Sequence, residues 1–108
     1  MTDRITINFI LEIIGSPKDH VNETIRLVIE QIEDNDDIDV HSKDVSEPEK
    51  TDDDLFAVFA DVNADVEDIT TVGHIANNYN PASIELIEPA EITVDRKDFN
   101  DLFADTLA

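Results

Sequence analysis

Hydrophobic residues occupy every second position over residues 4–14 of this chain. The alternating set is as follows: Ile5, Ile7, Phe9, Leu11 and Ile13. Successive side chains of a β-strand point to opposite faces, so this spacing predicts a strand with one fully apolar face. The intervening positions mix polar residues with Ile10 and Ile14, which predicts a second face that is only half polar.

The spacing becomes helical after Gly15. Ser16 and Pro17 are typical of a helix start, with Ser16 as the expected cap and Pro17 in the first helical position. Apolar residues then recur at intervals of three or four: Val21, Ile25, Val28 and Ile32. We therefore predict an amphipathic helix over residues 17–33.

Two strands of different character are predicted next. An acidic turn at residues 34–37 leads into a polar, edge-like strand within residues 38–45. A charged loop at residues 46–53 then precedes a strong strand over residues 55–62, which is apolar on both faces and carries Phe59 on the second one.

A second helix is expected to begin near Asn63 or Asp65, which are both credible caps, and to end before Asn80 and Pro81. Its expected buried side comprises these residues: Ile69, Val72, Ile75, Ala76 and Tyr79. A last strand is predicted over residues 83–88, where Pro89 stops it.

The C-terminal segment predicts a short amphipathic helix capped by Asp95. Its apolar stripe comprises Phe99, Leu102, Phe103 and Leu107. We expect residues 1–94 to form the domain, and residues 95–108 to pack either on that domain or on a partner.

The order of elements, βαββαβ plus a C-terminal helix, predicts an α+β protein. It resembles the ferredoxin-like superfold, which includes the small-molecule-sensing ACT and related regulatory domains. That resemblance covers residues 4–88 and implies a two-layer sandwich, with a four-stranded antiparallel sheet in the order 4-1-3-2 and two helices on one face. The most apolar strands, the first and the third, would then lie in the centre.

Two segments are also similar to small uncharacterised archaeal proteins. They are Glu-Ile-Ile-Gly-Ser-Pro-Lys-Asp-His-Val at residues 12–21 and Tyr-Asn-Pro-Ala-Ser-Ile-Glu-Leu-Ile-Glu-Pro at residues 79–89. Neither similarity implies an activity, because one fold can support many functions.

Negative charge dominates the composition. The chain has 27 Asp and Glu residues against 7 Lys and Arg residues, and a formal net charge of −20. Hydrophobic residues still make up 41% of the sequence in periodic blocks, so we expect a folded core beneath an acidic surface. Three hypotheses explain the charge: adaptation to high salt in a halophilic archaeon, mimicry of a nucleic acid, or a basic protein partner. All three argue against direct binding of DNA or RNA.

Several kinds of site find no support in the sequence. There is no cysteine, and the only glycines are Gly15 and Gly73, so neither a thiolate site nor a phosphate-binding loop is expected. No apolar run approaches membrane-spanning length and the N-terminus lacks signal-peptide features, so we expect a cytoplasmic protein without membrane contacts. We expect no cofactor.

Candidate ligands and nucleophiles are present but lack the required spacing. The acidic turn at residues 34–39 fails the EF-hand pattern, because Asp39 stands where glycine is needed. His20, His41 and His74 are far apart and have no paired-ligand spacing. No serine lies in a nucleophile motif. A buried carboxylate–histidine pair inside a cleft would favour an enzyme instead.

These observations predict a non-enzymatic interaction domain that self-associates or binds a protein partner. The candidate interface residues are Ile10 and Phe59 on the second sheet face, together with the C-terminal stripe of Phe99, Leu102, Phe103 and Leu107. Two alternatives remain open. A small-molecule-sensing domain predicts a pocket near residues 15–19 or at a dimer interface, and a nucleic-acid mimic predicts carboxylates in rows on one face.

Overall fold

The chain adopts a mixed α+β fold with an antiparallel sheet, as its periodicity predicts. The computed structural model describes the backbone of residues 4–107 and the side chains of residues 4–101. Within that part the elements are, in order, β1 (Ile5–Gly15), α1 (Lys18–Glu33), β2 (Ile38–Val45), β3 (Glu49–Lys50), β4 (Phe56–Val66), α2 (Ile69–Tyr79), β5 (Ser83–Glu88) and α3 (Arg96–Leu107).

The described sheet has five strands, so the predicted four-stranded arrangement is confirmed only in part. Its order is β2-β4-β1-β5, with β1 and β4 in the centre, and the short β3 pairs with β4 as well. The charged loop predicted at residues 46–53 therefore contains a strand. Backbone hydrogen bonds hold this segment on β4, including one from Ser46 N to Phe59 O at 2.8 Å. Apolar periodicity could not predict a strand held only by its backbone.

The central strands β1 and β4 pair without a register shift, from Ile5 opposite Val66 to Gly15 opposite Phe56. One face of this pair is buried from Ile5 to Leu11 on β1 and from Val58 to Val66 on β4, and Phe9 opposite Val62 lies at its centre. The strand predicted to end at residue 62 continues to Val66, because Ala64 and Val66 extend the buried alternation.

The start of α2 consequently lies later than Asn63 or Asp65, which are strand residues. Asp68 caps the helix instead, and its Oδ1 accepts a hydrogen bond from Thr71 N at 2.9 Å. The buried stripe of α2 centres on Ile75, and Ala76 is exposed. The predicted burial of Ala76 was wrong. Successive helical residues are rotated by about 100°, which places Ala76 on the solvent side of Ile75.

Helix α1 packs on the same buried sheet face as α2. Its buried residues are Val21, Ile25, Ile29 and Ile32. Pro17 has an extended backbone and stands at the N-cap position, so the helix begins at Lys18. Ser16 therefore does not cap α1, contrary to the prediction.

Helix α3 begins as predicted, since Asp95 Oδ1 accepts a hydrogen bond from Asp98 N at 2.8 Å. It contacts α2, on the helical side of the sheet. Phe99 is 57% exposed. The other residues of the predicted stripe, Leu102, Phe103 and Leu107, lie outside the residues whose side chains are described. No helix of the described part is long and apolar enough to cross a bilayer.

Two phenylalanines on opposite sheet faces test this architecture. Phe9 is completely buried, so Phe9→Ala should lower the free energy of unfolding by about 3–5 kcal/mol. Phe59 is 41% exposed, so the matched Phe59→Ala change should cost roughly 1 kcal/mol or less. Urea denaturation followed by far-ultraviolet circular dichroism measures both losses. Equal losses would contradict the assignment of the buried face.

Candidate functional site

The sheet face opposite α1 and α2 is the principal candidate surface, and we call it the open face. Strand registers define its members: Thr6, Asn8, Ile10, Glu12 and Ile14 of β1; Ala57, Phe59, Asp61, Asn63 and Asp65 of β4; Asp39, Ser42 and Asp44 of β2; and Ser83, Glu85 and Glu88 of β5. Helices α1 and α2 contribute their apolar stripes to the other face.

One end of the open face carries its apolar residues. Phe59 is 41% exposed and Ile14 is 52% exposed, and the half-buried Ile10 lies on the same face. Glu12 stands directly opposite Phe59 in the β1–β4 register. The structure thus places Ile10 and Phe59 together on the face predicted from the alternation, and their role in an interface stays a prediction.

The other end of the open face is a hydrogen-bonded polar cluster around Asp65. Asp65 Oδ1 accepts a hydrogen bond from Thr6 Oγ1 at 2.6 Å and pairs with His41 Nε2 at 2.9 Å. The Asp65 side chain is only 17% exposed. The hydrogen bond from Thr6, with that from His41, holds the pKa of Asp65 below its usual range, although burial acts in the opposite direction.

The geometry of this cluster differs from that of a hydroxyl–imidazole–carboxylate triad. Thr6 and His41 approach the same carboxylate oxygen, so the threonine hydroxyl is bonded to Asp65 rather than to an imidazole base. The His41 side chain is 46% exposed on a sheet face, so this is not the pair buried inside a cleft that would have favoured an enzyme. Sequence reasoning missed the contact because it placed Asp65 at a helix start.

Two pairs of aspartates face each other across β2 and β4: Asp39 opposite Asp65, and Asp44 opposite Asp61. Like charges directly opposite in a sheet are destabilising. The first pair is compensated, since Arg4 Nη1 lies 3.2 Å from Asp39 Oδ2 and His41 pairs with Asp65.

The second aspartate pair has no such compensation. Within residues 4–101, neither Asp44 nor Asp61 forms an ion pair or a side-chain hydrogen bond, and both are exposed. Asp61 also lies directly opposite Ile10 on β1. The uncompensated pair therefore borders the apolar end of the open face.

A β-bulge in β2 accounts for both the contact of His41 with Asp65 and the position of Asp44 opposite Asp61. The register shifts between Val40 and Ser42, which leaves His41 as the extra residue. An unbroken ladder would have placed Lys43 opposite Asp61. With the bulge, Asp44 takes that position, while Lys43 turns to the helical side and its Nζ lies 2.8 Å from Glu33 Oε1.

Helix α1 and the end of β2 border a cavity of about 510 Å3, which includes Arg26, Lys43 and Glu47 in its lining. Its position differs from the pocket predicted near residues 15–19, since no residue of that turn lines it. Ligand sites of this size are usually lined mainly by apolar side chains, whereas charged residues dominate here.

The remaining sequence candidates lie in separate elements. His20 is in α1 and His74 is in α2, and no group of three or more metal-ligating side chains occurs in the described part of the chain. The acidic turn between α1 and β2 is a local structure, in which Asn35 Oδ1 accepts a hydrogen bond from Asp37 N at 2.9 Å.

Asparagine substitutions should separate the two aspartate pairs. Asp61→Asn removes a like-charge repulsion and should raise the free energy of unfolding by about 0.2–1 kcal/mol. Asp65→Asn weakens the contacts of the carboxylate with Thr6 and His41 and should lower the free energy of unfolding by about 1 kcal/mol. Each variant loses one negative charge, so each controls for the global charge change when both are measured by urea denaturation at neutral pH.

The stability deficit of Asp65→Asn should depend on pH. Because the pKa of Asp65 is lowered by folding, the unfolded state binds more protons than the native state as the pH falls through about 4. Its stabilising effect is therefore complete above that pH and lost as the pH falls through the native pKa. The deficit of Asp65→Asn relative to the natural chain should shrink in acid, and a constant deficit would contradict the assigned contacts.

Comparison with known proteins places the chain in a family. No curated protein and no solved structure matches it. The model of the MJ0538 family matches residues 6–107, which spans every element from β1 to α3. The family name states no activity, ligand or partner. With most of its length matched, the chain belongs to the MJ0538 family.

Proposed function

We propose that this chain is a non-enzymatic, cytoplasmic interaction domain that binds a protein partner on its open face. The main observation in support is the exposure of Phe59 and Ile14 on the sheet face opposite α1 and α2. Apolar side chains grouped on one exposed face are typical of interaction surfaces. Helix α3 contacts α2 on the other side of the sheet, which leaves this surface accessible.

Charge favours a different protein over a second copy as the occupant. Glu12, Asp44 and Asp61 surround the apolar end of the open face. A two-fold dimer through this face would bring the carboxylates of both copies together, and like charges across an interface are unfavourable. Self-association, which the sequence also predicts, is therefore the competing outcome of the test below.

We also propose that the fold is of the ferredoxin-like type. The antiparallel order β2-β4-β1-β5, with α1 and α2 on one face, supports this assignment. Strand β3 would then be an addition beside β2 on the same edge of β4. In such a two-layer arrangement the second sheet face has no helical cover within the four-stranded core.

The acidic surface is proposed to be an adaptation to high salt in a halophilic archaeon. Exposed carboxylates occur on helix α1 at Glu23 and Glu30, in the turn at Asp36, and on the open face at Asp61. This wide distribution supports a general solvent adaptation, and it weighs against a nucleic-acid mimic, which would concentrate its carboxylates in rows on one face.

Site-specific photo-crosslinking tests the proposed surface. A photoreactive phenylalanine analogue at position 59 of the full chain should give one discrete adduct with another protein in cells that express the chain naturally. The matched control is the same analogue at Leu27, which is 52% exposed on α1. Mass spectrometry identifies the adduct.

The outcomes of crosslinking are distinct. An adduct formed only from position 59 and containing a different protein supports the proposal. An adduct with a second copy would assign the surface to self-association instead. Equal adducts from positions 59 and 27, or none from position 59, would refute the proposed surface.

Salt dependence tests the proposed adaptation separately. The midpoint of thermal unfolding should rise strongly between about 0.1 M and about 3 M KCl, because the Debye length falls to about 3 Å near 1 M. Sucrose solutions of matched osmolality provide the control for a general solute effect. An unchanged midpoint across the KCl series would exclude salt adaptation as the reason for the charge.

A further inference from the structure

We infer that the partner presents a basic, apolar-anchored protein segment, whose apolar side chain covers Phe59 and whose Lys or Arg lies between Asp44 and Asp61. This inference rests on the proposed function and adds the chemistry of the partner to it. It follows from comparing the two aspartate pairs of the open face, which have the same geometry and different surroundings.

The first step is the contrast in charge compensation. Arg4 forms an ion pair with Asp39. The Asp65 carboxylate accepts a hydrogen bond from Thr6 and contacts His41. Asp44 and Asp61 face each other in the same sheet without an ion pair among the described residues. An opposed pair of carboxylates destabilises the free domain and would be relieved by a cation supplied from outside.

The second step is the position of the uncompensated pair. Asp61 and Phe59 are two residues apart on β4 and therefore point to the same face. Ile10 lies directly opposite Asp61, and Glu12 lies directly opposite Phe59. Apolar and acidic groups thus alternate within the reach of one short segment, which calls for a ligand that carries both apolar and cationic groups.

The third step excludes simpler occupants. A metal ion would leave Phe59 and Ile14 exposed, and the described residues include no group of three or more metal-ligating side chains. A nucleic acid would place phosphates against carboxylates. A protein segment with an apolar residue flanked by Lys or Arg satisfies both parts of the surface, and charge complementarity also speeds association.

Binding of synthetic peptides to the full chain tests this inference. The probe is a short fluorescent peptide with two central leucines flanked by arginines, measured by fluorescence anisotropy at about 0.15 M KCl. One control peptide carries glutamates in place of the arginines, and the other carries serines in place of the leucines. Only the peptide with both leucine and arginine should bind appreciably.

The decisive protein variant combines Asp44→Asn with Asp61→Asn. It should weaken peptide binding by about fivefold or more, because each surface ion pair contributes a modest free energy. The charge-matched control combines Asp52→Asn with Asp53→Asn in the turn before β4, where the same two charges are lost outside the opposed pair of Asp44 and Asp61. The first variant should also be more stable than the control, so that weaker binding cannot result from unfolding.

The possible results separate this inference from the proposed function. Equal loss of binding in both double variants, with Phe59→Ser still abolishing binding, would overturn the basic-segment chemistry and leave the surface assignment intact. Peptide binding that is unaffected by Phe59→Ser, together with absent crosslinking at position 59, would overturn the surface itself. Selective loss in the Asp44 and Asp61 variant supports both.

Discussion

The pairing of β1 with β4 is the interaction on which the rest of the structure depends. The two strands run antiparallel without a register shift, so that each buried residue of β1 lies opposite a buried residue of β4. Helices α1 and α2 can bury their apolar stripes only against this shared face. A slip by one residue would bring Asp61 to the core side and expose Val62, which makes any other register strongly unfavourable.

The same register determines which side chains form the open face. Since side chains alternate between faces, the positions between the core residues form one continuous second surface, and its two ends differ. At one end Thr6 and His41 contact Asp65, and Arg4 forms an ion pair with Asp39. At the other end the acidic residues border exposed Phe59 and Ile14. The two opposed aspartate pairs of the open face therefore differ, since only the one formed by Asp39 and Asp65 has partners within the described residues.

Apolar alternation and proline positions predicted the limits of two strands and could not predict a strand that has no apolar residue. β1 and β5 were predicted within a residue, because apolar residues or flanking proline define their limits. β3 was missed because only backbone hydrogen bonds hold Glu49 and Lys50 on β4. The end of β4 was misplaced because Asn63 and Asp65 can serve either as helix caps or as outward-facing strand residues, and only the burial of Ala64 and Val66 decides between them.

The candidate site depends on a feature that no local pattern encodes, namely the bulge at His41. Because β2 contains one extra residue, Asp44 lies opposite Asp61 in place of Lys43. A repulsive cross-strand pair therefore replaces an attractive one. The bulge also brings His41 to Asp65. The unbroken ladder would place Lys43 opposite Asp61, but it would also turn Asp44 to the helical side and Val45 to the open face. The bulge therefore keeps Val45 on the core side and leaves an acidic pair beside an exposed aromatic ring, the combination from which the proposed recognition is argued.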